Sequence, residues 1–129
     1  MRLPEFRFTA YSGTGLENFK RLAFVSEGRV FYKKDQRFPS PEVYYTTTKT
    51  EAIYYARSST FNPLIMCARL PICRWPNPIF RTLLIFPVDH VLIPDRDLPP
   101  EEFPLFHKGS YADNSKYFRP ADIHQILGI

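Results

Sequence analysis

The stretch VYYTTTKTEAIYYA, residues 43–56, decides how the chain is read. Val43, Tyr44 and Tyr45 favour a strand, because valine and tyrosine pack well on a pleated surface. Thr48 followed by Glu51 fits a capping box, in which a hydroxyl takes an early backbone N–H of a helix. The pattern predicts a strand, a threonine-rich turn, and a helix that begins at about Lys49 and carries Ala52, Ile53, Tyr55 and Ala56. Four tyrosines, Tyr44, Tyr45, Tyr54 and Tyr55, gather around that one turn.

Upstream lies a second unit of the same kind. FRFTAYSGTG, residues 6–15, reads as a short strand that breaks at Ser12-Gly13-Thr14-Gly15. Glycines there permit unusual backbone geometry and close approach of a ligand to the main chain. LENFKRLAFVSEG then puts Leu16, Phe19, Leu22 and Ala23 on one helical face, with Gly28 as the stop. RVFY is a strand, and KKDQRFPSPE a polar loop.

Downstream, PLIMCARLPI suits a central strand, and NPIFRTLLIFPVDHVLI gives one or two more. PDRDLPPEEFPLFHKG is proline-rich and irregular. Asp122-Ile123 and Ile126 to Ile129 read as a terminal strand tucked into a sheet. No internal repeat and no interdomain linker interrupts the chain. The expectation is a single α+β domain over residues 1–129, with two early helices and then mostly strands.

Composition agrees with that class. A chain of 129 residues builds one core, and a 16% aromatic share supplies large buried area. Thirteen prolines argue against a helix bundle. The net charge of +4 is spread along the chain, with Lys20–Arg21 and Lys33–Lys34 as its densest points. It fits a mixed-charge surface or attraction to a phosphate-bearing partner. No run of five basic residues exists, which excludes a disordered nucleic-acid-binding arm of that kind.

Cys67 and Cys73 make no disulfide framework, and His90, His107 and His124 show no zinc spacing, so no metal is expected. MRLPEFRF lacks an apolar leader core, and no segment has 18 consecutive apolar residues. A cytoplasmic protein, or one delivered into a target cell, is expected, with no membrane partner. The oligomeric state stays open.

The order strand, YSGT, helix, strand, YYTTT, helix with a far tyrosine resembles the ADP-ribosyltransferase superfamily of diphtheria-type toxins and poly-ADP-ribose polymerases. The resemblance covers residues 6 to 56 and extends to the rest only as a strand-rich remainder. It implies a split, mostly antiparallel sheet and an NAD site in which two tyrosines sandwich nicotinamide. Gly13 and Thr14 match the family's Gly-Thr, and Ser12 stands where the family has histidine. Tyr45, with Thr46 and Thr47, matches the first tyrosine and its hydroxyl neighbours. Tyr55, or Tyr54 in another helix phase, matches the second. Arg7 on the first strand raises the arginine-using branch of the family.

The family also places a glutamate near the start of a late strand, and alignment puts Ser115 or Lys116 there. Glu101, Glu102 and Asp113 are the remaining late carboxylates. The resemblance implies transfer of ADP-ribose from NAD to a protein or nucleic acid, or NAD hydrolysis. Two rival readings stand beside it. One is a non-catalytic member that has lost the acid and keeps the binding slot. The other is a small basic nucleic-acid-binding protein that stacks bases on Phe31, Tyr32 and Tyr45. Each residue also has a plain structural reading: tyrosines in the core, glycines in an ordinary turn, Arg7 and the glutamates in solvent.

Overall fold

The computed structural model describes residues 7–57, 62–71, 79–94 and 118–129. Its elements run β1 (Arg7–Gly15), α1 (Leu16–Leu22), β2 (Ala23–Ser26), β3 (Arg29–Tyr32), β4 (Val43–Thr46), α2 (Lys49–Arg57), β5 (Pro63–Pro71), β6 (Ile79–Thr82), β7 (His90–Pro94), β8 (Phe118–Ala121) and α3 (Ile123–Leu127). Six strands form one sheet in the order β6-β4-β1-β5-β7-β8, and every neighbouring pair is antiparallel. The fold is a small α+β protein, as the strand and helix patterns predict. PLIMCARLPI becomes β5, which lies between β1 and β7. No helix among the described residues is long and apolar enough to cross a membrane.

Three sequence expectations are corrected. The first is the Ser12–Gly15 break. It is regular strand, registered as Ser12↔Met66, Gly13↔Ile65, Thr14↔Leu64 and Gly15↔Pro63. The second is the helix through Gly28, which ends at Leu22. Ala23-Phe24-Val25 pairs back on β3, because a turn at Glu27-Gly28 closes a hairpin between Ser26 and Arg29. Both turn residues have positive φ, 53° and 75°, which suits the twist of a tight hairpin. Gly28 is therefore a hairpin residue.

The third is the terminal strand. Residues 118–121 form β8, but Ile123–Leu127 is helical. Asp122 caps it by accepting the His124 and Gln125 N–H groups at 2.9 and 3.4 Å, and Gly128 ends it in the left-handed region. Ile123, Ile126 and Leu127 recur at helical spacing and pack on the core, an arrangement a period of two would not give.

The sheet is covered on both faces. On one, Ala10, Val43, Tyr45, Leu64, Met66, Ala68, Leu70 and Val91 meet Phe19 of α1 and the hairpin residues Val30 and Tyr32. On the other, Ile65, Cys67, Leu92 and Phe118 meet Ala52 and Ile53 of α2. Alternation along each strand sorts the side chains between these two layers.

Candidate functional site

α2 lies on β1 and β5 at close range. A Cβ built on Gly13 would fall 2.0 Å from the Ala52 carbonyl oxygen and 2.9 Å from the Ala56 Cβ. Gly13 is thus the residue that lets the helix sit on the strand. The Thr48 hydroxyl starts that helix, accepting the Glu51 N–H at 3.3 Å, while the Thr46 hydroxyl donates to the Thr48 carbonyl at 2.7 Å and fixes the turn.

The same helix contacts set its rotation. Ala52 and Ala56 face down onto Gly13, and Ile53 leans toward β5 and β7 through Ile65, Cys67 and Leu92. At 100° per residue, Glu51 and Tyr55 then fall on the opposite flank, the one that faces β4. Lys49 falls on the Ile53 side, and its ammonium lies 6.0 Å from the Tyr11 ring.

Beneath that flank, β1 and β4 share one registered pair, Tyr11↔Thr46. The Asp89 N–H donates to the Cys67 carbonyl at 2.9 Å, so Cys67 directs its polar backbone groups toward β7. Its partner across β1, Tyr11, directs its own away from β5 and toward β4. Leu16, of the other parity, donates to the Asn62 carbonyl at 2.8 Å on the β5 side. By this alternation the Gly13 N–H and C=O both point toward β4, beyond the last registered pair. A donor and an acceptor stand side by side there.

Tyr45, expected in the slot with Tyr55, is corrected to a core residue. It is 5% exposed, belongs to the α1-side layer, and meets Phe86 edge-on with centroids 6.4 Å apart. Burial pushes its phenol up to about 12. Its neighbour Tyr44 points the other way, onto the α2 side, and is 44% exposed; Tyr55 is 48% exposed. Among the described residues, these are the two half-exposed tyrosine rings on the α2 side. The missed signal was strand period: Val43 marks the core face, which puts Tyr45 inside and Tyr44 outside.

The remaining candidates divide. Ser12 and Thr14 are buried on the Tyr45 face, and the Thr14 hydroxyl lies 3.1 Å from the Tyr32 hydroxyl. Thr46 is buried at the end of β4 and Thr47 is exposed. Arg7 donates to the Arg69 carbonyl at 3.4 Å, six residues before Gly13, so about 20 Å of strand separates the two. Glu101, Glu102 and Asp113 lie outside the described residues.

Sequence reading also missed two cations beside Tyr44. The Lys34 ammonium sits 5.3 Å from both the Tyr44 and Phe38 ring centroids and donates to the Glu42 carbonyl at 2.7 Å. Burial holds it below the usual lysine range. Arg81, the register partner of Tyr44 on β6, lies 3.1 Å from the Glu42 carboxylate, and the nearby Tyr44 hydroxyl and Glu42 raise its pKa. Among the described residues, no group of three His, Cys, Asp or Glu could hold a metal ion. Comparison with protein-family models, curated proteins and solved structures gave no significant match for this chain.

Proposed function

We propose that the chain is an ADP-ribosyltransferase-like protein whose gap between β1 and β4 takes the nicotinamide end of NAD. The observation that carries this reading is the paired N–H and C=O of Gly13. They point into a gap flanked by two half-exposed tyrosines, Tyr44 and Tyr55, on one face. A carboxamide presents the complementary acceptor and donor. A cationic planar ring is attracted to tyrosine faces. With Arg81 paired to Glu42, Lys34 leaves net positive charge beside Tyr44, which favours the phosphates of a dinucleotide. Gly13 thus keeps the anchoring role its motif implies, through its backbone edge, and Tyr44 takes the place of Tyr45.

In this reading NAD supplies a glycosidic bond whose cleavage frees ADP-ribose for water or for a macromolecular acceptor, protein or nucleic acid. The chain's own part is to hold the ring and keep its plane fixed. Nicotinamide release from NAD by the purified protein, measured alongside NAD binding by calorimetry, makes the test. Turnover supports the enzyme. Binding without release supports a non-catalytic member of the same fold. Neither binding nor release removes the reading.

A further inference from the structure

One polar atom in the molecule stands out. Glu51 Oε2 is buried and has no hydrogen-bond partner, the one such side-chain atom among the described residues. A buried oxygen left unpaired destabilises the fold, and more so when it carries charge. Buried polar groups in folded proteins are otherwise nearly all satisfied, so an exception asks for a reason.

Capping accounts for only part of this residue. The Glu51 N–H bonds the Thr48 hydroxyl, so the backbone of the capping box is made. A carboxylate needed only for that purpose would turn back to the start of the helix or out to water. Instead one of its oxygens is buried, and by helix periodicity the residue sits on the flank that faces β4. Tyr55 follows one turn later on the same flank, and Ala52, the residue after Glu51, touches the Gly13 position. The residue that carries the unpaired oxygen therefore lies on the β4 side of α2.

We propose that Glu51 is the carboxylate of this gap, accepting a hydroxyl of the ribose joined to the nicotinamide ring. This rests on the NAD reading above and adds to it the group that fixes the sugar. It also supplies an acid from the second helix, where the resemblance aligns only Ser115 or Lys116 with the family's glutamate. In hydrolysis, the bond between the ring nitrogen and the sugar carbon breaks and its electron pair goes to nicotinamide. Water forms the new bond to that carbon and loses a proton to solvent. Glu51 keeps its own proton count and faces the positive charge that builds on the sugar.

The experiment compares two ligands on the full chain by calorimetry, nicotinamide alone and NAD, together with nicotinamide release. Glu51→Gln keeps the shape of the side chain. Its expected result is nicotinamide affinity within about twofold of the unaltered protein, NAD affinity about tenfold weaker, and release slower by about 10²–10³. Glu51→Asp keeps the charge and withdraws it by one methylene, so an intermediate loss is expected; it carries the test should the Gln variant fail to fold. A merely structural role would weaken both ligands alike, and that result overturns the inference. Unchanged NAD affinity and release in a folded Glu51→Gln protein overturns it too, and leaves the NAD reading standing. Absence of NAD binding by the unaltered protein overturns both.

Discussion

The two faces of the sheet are built on opposite principles. On the α1 side, polar groups are buried and matched: Thr14 bonds Tyr32, and Tyr45 stands edge-on to Phe86 inside an apolar layer. On the α2 side, the helix presses on a glycine, two tyrosines stay half in solvent, and a buried carboxylate oxygen goes unpaired. One face has spent its chemistry on folding. The other keeps two rings half exposed and one carboxylate oxygen without a partner, on the side where a ligand could reach them. Adjacent residues of a single strand, Tyr44 and Tyr45, fall on either side of that divide.

The largest effect that would break this contrast is at Tyr45. Tyr45→Ala should cost about 3–5 kcal/mol of stability, the range for emptying a buried aromatic site, read as a lower urea midpoint at constant slope. Tyr44→Ala should leave stability within about 1 kcal/mol. It should weaken NAD binding by one to two orders of magnitude, from about 1–3 kcal/mol of lost stacking by analogy with base–aromatic contacts. A reversed pattern would mean the faces have been assigned the wrong way round.

Gly13→Ala comes next. The added methyl meets the backbone of α2, which cannot swing aside as a side chain would, so a loss of about 3 kcal/mol is expected in the same denaturation experiment. A variant as stable as the unaltered protein would mean the helix does not sit so close.

Alkaline pH loads both layers, and more gently. Burial raises the Tyr45 phenol and the Cys67 thiol, each to about 12, and raises Tyr32 as well, despite its Thr14 bond. The folded state then holds protons that the unfolded chain releases near its ordinary values of 9 for cysteine and 10 for tyrosine. Stability is intact below pH 9 and falls as pH rises from there toward 12. Urea midpoints between pH 8 and 11 measure the slope; a flat profile would show that these groups are not buried neutral.

The smallest effect is at the hairpin. Glu27 has a φ of 53°, where a side chain is disfavoured, and asparagine is well suited to the same turn position. Glu27→Asn should raise stability by about 0.5–1 kcal/mol and leave NAD binding unchanged. A change in binding would tie the α1 side to the site after all.

Sequence by itself determined the local elements whose signals are short-range. The Thr48–Glu51 cap set the start of α2, and the alternating or continuous apolar runs set β4 and β5. It missed where α1 stops, because a two-residue turn at Glu27-Gly28 outcompetes continued helix only once Phe24 and Phe31 can pair across the hairpin. It missed α3, because β8 uses up the strand-like residues before Asp122 caps the chain. Tertiary structure alone decided what Gly13 does. Its neighbours in sequence suggest a turn, but its neighbours in space are a helix above and the gap to β4 beside it. The same holds for Tyr55 and Glu51, whose shared flank follows from the rotation of α2, and that rotation is fixed by Ile53 packing on strands that follow it in the chain. Local spacing records which residues lie on one face of an element. Only packing records what that face looks at.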